Sequence, residues 1–554
     1  MRNRAVRRYA AVLAIAIPLA ACQSQSVGPN GLGFAGNGRG RPVNIHYAGE
    51  RPSYAWRGHG RVKRRVRFAT PIQHIFVISM ENRTVENLFG GYYGQAWPGA
   101  GGGNWEDPNN FNLHDPNGNP TLTKVGLSQH FDPKHTHEDA WYYDSAHEWG
   151  QAPIHCPATG CPASTTNLAY APPYQTVIYK TLVENWGFAN NVLQANEGPS
   201  FVAHQYYIAG QSGGITGSAS APYAESENPS AGSSGDNAGN EAPDAGTSGC
   251  KPASDGHIMS TVNMSQPVAS PTPLDNGPAI SPCEEYPANI LDEAVTGLDT
   301  SSPYTDWQYI AHSATSIWAA PLGVEHLFEA YHLGNKATQP FAVDPDAENF
   351  VLNVTGSTNP PPNPARPIAT LTYVTPCVAE SDHPLLTGTD DGPQWLAWVL
   401  NAIGNSSYWS SSTIFVTWDD WGGWYDNVPP ATFRPGINAY NNADDPNEWG
   451  FRVPLIVISP YLKQRGYISS YATSGYQYRS QSVILQYVEA TLGLPSLGAD
   501  DMQDGQSDGL ADMFDYGNQP LPWRTIPTSF TQGTCSGTGS GSYRRTHING
   551  RRKP

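Results

Sequence analysis

Three short runs gather apolar residues without alternation: His74-Ile-Phe-Val-Ile-Ser-Met80, Thr413-Ile-Phe-Val-Thr-Trp418 and Pro454-Leu-Ile-Val-Ile-Ser459. Each is rich in β-branched or aromatic residues and bounded by turn or polar residues, which predicts strands covered on both faces. Helical patterning runs from Tyr174 to Phe188, Ser200 to Ala209, Gly392 to Ile403 and Ser480 to Leu492. Strands alternating with helices predict an α/β protein with a mainly parallel sheet. The tract 212–282 is rich in Gly, Ser, Ala, Asn and Pro, and its most apolar-poor part, 212–256, reads as an insertion in one large domain, because strand-like runs continue on both sides.

Composition excludes two classes. With 39% hydrophobic and 11% aromatic residues the chain can fill a core, so it is not a disordered polymer. The formal net charge of −17 argues against a nucleic-acid binder, and its distribution sharpens the point. Residues 1–68 hold 13 basic residues and one acid, 536–554 hold five basic residues and none acidic, and the body 69–535 carries −34.

The N-terminus has the layout of a signal peptide: Arg2, Arg4, Arg7 and Arg8, then an apolar run from Tyr9 to Ala21. Leu19-Ala20-Ala21-Cys22 resembles a bacterial lipobox, which predicts a signal over 1–21, lipid attachment at Cys22 and an exported lipoprotein of the cell envelope, periplasm-facing or at the surface. Residues 22–68 then read as a basic flexible tether and 536–554 as a basic tail. Six cysteines remain, an even number that favours disulfides in an exported chain. Neighbours suggest Cys156 with Cys161, Cys250 with Cys283 and Cys377 with Cys535, one pattern among the fifteen that six cysteines allow.

Two of the predicted strands run directly into polar groups, Glu81-Asn82-Arg83-Thr84 and Asp419-Asp420-Trp421-Gly422-Gly423. In open α/β sheets ligands collect beyond the carboxyl ends of the strands, so Glu81, Asn82, Asp419 and Asp420 read either as hard oxygen ligands for a divalent cation or as turn and cap residues. Gly198-Pro199 leads into Ser200 at the first turn of a helix, where free amides favour negative charge; its hydroxyl reads as a nucleophile or as an N-cap. His130, His135, His137 and His147 cluster in one stretch and His383 sits in Ser381-Asp382-His383-Pro384, either bound to the same chemistry or incidental.

These segments carry a resemblance. Gln73 to Thr84 followed by Asn87-Leu88-Phe89-Gly90 resembles the opening motif of the bacterial phosphoesterase family, which includes phospholipases C and acid phosphatases. His135-Thr-His137 with Trp141 to Asp144, Gly198 to Phe201 with His204-Gln205-Tyr206, Ser381 to Pro384, Asp419 to Asp426, Phe451 to Pro454, Ser459 to Tyr461 and Asp512 to Asp515 follow in that family's order, spanning roughly 70–530. The resemblance implies an alkaline-phosphatase-like three-layer α/β/α sandwich whose catalytic domain occupies 69–535. It also implies hydrolysis of phosphoric esters, by a phosphatase or phospholipase C type enzyme, through a phosphoserine on Ser200. Glu81, Asn82, Asp419 and Asp420 fall at the metal positions, and His135, His137 and His383 around the phosphoryl group.

The expected cofactor is a divalent ion, Mg²⁺, Ca²⁺ or Mn²⁺ from the all-oxygen set, with Zn²⁺ and iron kept open by the nearby histidines. The expected partners are a small phosphate ester or a phospholipid headgroup, and the membrane through the lipid anchor. Asp420 replaces a frequent Glu, while Asn427 and Ser470 replace usual histidines. Those losses favour a rival, a non-catalytic surface protein binding glycan or lipid on the same scaffold; the intact metal and serine positions favour an enzyme. The acidic body would repel an anionic substrate, so either the metal and a local patch including Arg83 or Arg452 reverse the field at the site, or the protein works at acidic pH.

Overall fold

A computed structural model describes residues 70–92, 122–128, 131–135, 167–196, 198–210, 289–297, 306–314, 316–335, 339–363, 365–384, 391–428, 449–469, 479–494 and 510–530, with the shorter pieces 139–140, 154–155, 223–226, 230–231, 250, 257–258, 261–263, 497 and 535. The predicted signal, tether and tail, His130, His137, His147, Ser470, Cys156, Cys161 and Cys283 lie outside the described residues.

Eight strands form the central sheet: β1 His74–Met80, β2 Gly187–Ala189, β3 Trp307–Ala311, β4 Phe341–Val343, β5 Leu371–Val374, β6 Ser412–Trp418, β7 Leu455–Ile458 and β8 Tyr467–Ser469. Their order is β4-β3-β5-β1-β6-β7-β2-β8. Only β7 runs against the others, pairing antiparallel with both β6 and β2. The unbroken apolar runs of β1 and β6 therefore lie side by side at the centre, in parallel register from His74 opposite Ser412 to Met80 opposite Trp418.

The helices are α1 Val85–Phe89, α2 Pro173–Asn185, α3 Ser200–Ala209, α4 Ile290–Gly297, α5 Glu325–Leu333, α6 Glu348–Thr355, α7 Asp391–Gly404 and α8 Val483–Leu492. Successive strand side chains point to opposite faces, which assigns the layers. On β1, Phe76 packs edge-on against Phe350 of α6, whereas Ser79, of opposite parity, reaches the hydroxyl of Tyr207 on α3. On β6, Trp418 meets Tyr179 of α2, while Phe415 meets Tyr487 of α8. The architecture is a three-layer α/β/α sandwich, with α2, α6 and α7 on one face of the sheet and α3 and α8 on the other.

Two predicted helices are corrected. The stretch from Tyr174 to Phe188 ends at Asn185, and Phe188 lies in β2 after Gly187, where an added Cβ would come 2.7 Å from Met513 Cε and 3.2 Å from Val457 O. The stretch beginning at Ser480 becomes helical only at Val483, because Arg479 and Ser480 pair with Val192 and Leu193. Within the Gly- and Ser-rich tract 212–282, Tyr223–Ser226 pairs with Thr261–Asn263 and Ser230–Ala231 with His257–Ile258, both antiparallel. A disulfide joins Cys377 to Cys535, and Cys250 is also disulfide-bonded.

Candidate active site

The parallel register of β1 and β6 delivers their following residues to one place. Asp419 N–H donates to Met80 O at 3.0 Å and Asn82 N–H donates to Asp419 Oδ1 at 2.9 Å, so the two polar segments are stitched together at the strand ends. From the other neighbour, β5, the chain continues to Ser381, whose carbonyl accepts Glu81 N–H at 2.8 Å. Asn82 holds a left-handed backbone, φ 58°, and the carbonyl it presents is met by Gly422, φ 62°, where an added Cβ would lie 2.3 Å from that oxygen. Glycine is required at 422 both for its φ and for the close approach.

Helix α3 supplies the serine. Pro199 occupies the N-cap with no side-chain capping bond, so the reading of Ser200 as an N-cap is set aside. Ser200 is the first helical residue, and its hydroxyl donates instead to Asp420 Oδ2 at 3.1 Å and approaches Asn82 Oδ1 at 3.4 Å. The Asn82 amide nitrogen faces His135 Nε2 at 3.0 Å, and His135 Nδ1 donates to Pro133 O at 2.7 Å. Those bonds are mutually consistent: His135 is protonated on Nδ1 and accepts on Nε2, which lies 3.9 Å from Asp420 Oδ2.

One turn along α3, His204 faces the same cluster, a residue that the motif reading left without a role. Its spacing of four from Ser200 is the one available signal, since i and i+4 share a helix face. His204 Nε2 lies 2.8 Å from Glu81 Oε1 and 3.8 Å from Asp419 Oδ2. Burial pushes its pKa down to about 4, with Asp419 opposing that shift. His383 is the outlying member of the predicted set: its Nδ1 bonds Pro384 O at 2.5 Å, and its ring tilts against Trp318 at 5.8 Å. The same indole stacks on His204 at 6.4 Å and meets His312 edge-on at 5.5 Å.

Glu81, Asn82, Ser200, His204, Asp419 and Asp420 are all wholly buried. Three carboxylates this close repel unless a cation or a proton lies among them. The donor chemistry fits a divalent ion, because Glu81, His204 and Asp419 each offer a ligand atom within 4.8 Å of the other two.

Arg83 and Arg452, the local patch expected to help a metal reverse the field, make their hydrogen bonds to other groups. Arg83 is fully buried, donates to the carbonyls of Asp382 and Leu127 and lies over Trp424 at 5.0 Å. Arg452 pairs with Asp426 at 3.0 Å and donates to Asn427 Oδ1 at 2.8 Å. Asn427, where a histidine was expected, thus serves to hold that guanidinium.

The profile of the phosphoesterase family matches residues 72–269 and 366–495; the interval between them includes β3 and β4. Phospholipase C A of Mycobacterium tuberculosis is 25% identical over 163 residues, covering 27% of this chain and 30% of that protein. Phospholipase C B of the same species is 24% identical over 165 residues, again 27% and 30%. Non-hemolytic phospholipase C of Pseudomonas aeruginosa is 26% identical over 168 residues, 26% of this chain and 23% of that protein. The chain therefore aligns with less than a third of the length of these relatives. The matched intervals take in more than half of the chain, including β1, β6 and the helix bearing Ser200, and on that ground the protein belongs to the phosphoesterase family.

Proposed function

We propose that the protein is a metal-dependent phosphoric ester hydrolase that works through a phosphoserine on Ser200. The observation that carries this reading is the Ser200 hydroxyl, freed from capping and donating to Asp420 at 3.1 Å beside Glu81 and Asp419. Asp420 takes the hydroxyl proton as Ser200 Oγ attacks phosphorus, the bond to the leaving oxygen breaks in line, and the phosphoryl group rests on the serine. The first turn of α3, at the positive end of its helix dipole, stabilises its charge. Asn82, fixed between His135 and Ser200, orients the nucleophile. A histidine in its imidazolium form, His383 or one of the His135/His137 pair, protonates the departing alcohol, and water then attacks phosphoserine and releases phosphate. Glu81 and Asp419, with their neighbours Asn82 and Asp420, would hold a divalent ion, which would supply Lewis acidity for the phosphoryl group and the serine hydroxyl.

The substrate is a phosphate ester, and the phospholipase C names of the relatives support a phospholipid headgroup as one form of it. The Leu19 to Cys22 segment supports export and lipid anchoring, which would place the enzyme beside such a surface. Parallel assays on a chromogenic monoester, a diester and phosphatidylcholine separate the substrate classes. Mass spectrometry of acid-quenched enzyme should find phosphate on the peptide containing Ser200, and Ser200→Ala should lose both the label and turnover with its circular dichroism unchanged. Full activity in that variant would refute the assignment.

A further inference from the structure

The donor set so far leaves the kind of cation open, and the hydrogen bonding of His204 bears directly on it. Tyr309 is fully buried and its single phenolic proton goes to Trp318 O at 2.6 Å. His204 Nδ1 lies 3.3 Å from the same phenol oxygen. The shorter bond takes the proton, so His204 Nδ1 is the donor to Tyr309, and Nε2 is the nitrogen left facing the carboxylates. Metal-binding histidines use this arrangement: the second ring nitrogen donates to a neighbouring oxygen, which fixes the tautomer and the ring plane.

The distances agree. Two donors each about 2.1 Å from one ion and about 90° apart are separated by about 3 Å, and no pair can exceed about 4.2 Å. His204 Nε2 stands 2.8 Å from Glu81 Oε1 and 3.8 Å from Asp419 Oδ2, both inside that limit. The Trp318 indole and the helix carrying His204 hold the ring in place.

We infer that His204 Nε2 is a ligand of the cation, completing a mixed nitrogen–oxygen set with Glu81 and Asp419 that selects a borderline transition ion such as Zn²⁺, Fe²⁺ or Co²⁺ over Mg²⁺ and Ca²⁺. Imidazole suits the first group, while the second prefers oxygen alone. The inference rests on the reading of Glu81 and Asp419 as cation ligands and extends it to a nitrogen.

The test uses the full chain, stripped with a chelator and titrated separately with Zn²⁺, Co²⁺, Mg²⁺ and Ca²⁺ by calorimetry, with the visible spectrum of the Co²⁺ form recorded. Zn²⁺ and Co²⁺ should bind far more tightly than Mg²⁺ or Ca²⁺. His204→Ala should weaken Zn²⁺ about 100-fold and alter the Co²⁺ spectrum, while Ca²⁺ affinity moves less than about threefold. Tyr309→Phe keeps the ring packing but removes the acceptor for Nδ1–H, and should weaken Zn²⁺ about tenfold; it serves even where the alanine variant fails to fold. Unchanged Zn²⁺ affinity and an unchanged Co²⁺ spectrum in the folded variants would overturn the nitrogen ligand while leaving an oxygen-bound ion intact. A wild-type chain that binds none of the four ions would overturn the cation site itself.

Discussion

Ser200 donates its hydroxyl proton to Asp420 across 3.1 Å, although 220 positions separate them in the chain. Glu81 and Asn82 from β1 and Asp420 from β6 meet at the centre of the sheet, and α3 lowers its first residue onto them. Asp420→Asn preserves shape and removes the proton acceptor. Turnover of a chromogenic phosphate ester should fall by about 10²–10⁴-fold with little change in melting temperature. A fall in stability of similar proportion would mean that the pair is structural.

Gly422 offers a paired steric test. Gly422→Ala combines φ 62° with a Cβ 2.3 Å from Asn82 O, whereas Gly356→Ala combines φ 66° with nothing within 4 Å. The second change isolates the left-handed backbone and should cost about 1 kcal/mol. The first adds displacement of the backbone beneath Asn82 and should cost at least about 2 kcal/mol more, with loss of activity. Urea unfolding of both variants measures the difference.

Glu380 predicts a pH dependence of stability. Its carboxyl is wholly buried, and burial first, then the charge of Asp346, push its pKa up from 4.5 to about 10. The folded protein therefore keeps a proton that the unfolded chain releases. This contribution to stability is full below pH 4.5 and is lost progressively as pH rises toward 10. The slope has an upper bound of about 1.4 kcal/mol per pH unit. Glu380→Gln carries no such proton, so its urea midpoint should decline less than that of the wild type between about pH 5 and 9. Parallel curves would refute the shifted carboxyl.

The Cys377–Cys535 bridge closes a loop of 158 positions. A constraint of that length is worth about 5 kcal/mol on the chain-entropy argument, so reduction should lower the unfolding midpoint strongly. Cys535 N–H also donates to Asp346 Oδ1 at 3.0 Å, which places the bridge beside the Glu380 carboxyl. The double variant Cys377→Ala, Cys535→Ala, unfolded by urea, gives the measurement.

With Arg83 and Arg452 bonded to other groups, a cation at the site and acidic pH are the two conditions that relieve repulsion of an anionic substrate by the −34 of residues 69–535, and the second sets a pH profile. The rate on a phosphate monoester should peak below neutrality; an optimum above about pH 8 would contradict this.

Much of the centre was legible because strands buried on both faces leave unbroken apolar runs: β1 has the predicted bounds and β6 begins one residue early. The three-residue strands β2, β4 and β8 were not, since so few residues carry no periodicity, and apolar Phe188 continued the pattern of the preceding helix. The reversed direction of β7 follows from how the connections run, which the residue pattern does not encode. Oxygen donors at strand ends could be named because fold position concentrates ligands there. His204 was not, because its one mark is the spacing of four from Ser200 in an otherwise apolar helix, and Trp318 and Tyr309 lie in a stretch with no motif. What joins them is tertiary contact alone.

The disulfide also orders events in time. The segment bearing His383 begins four residues after Cys377, whose covalent tie lies 158 positions further along the chain, at Cys535. A growing chain can assemble β1, α3 and β6 long before that cysteine exists. The clasp can close only once Cys535 has been made and an oxidant is at hand, so arrival of the residues around Ser200 does not by itself fix the segment that carries His383.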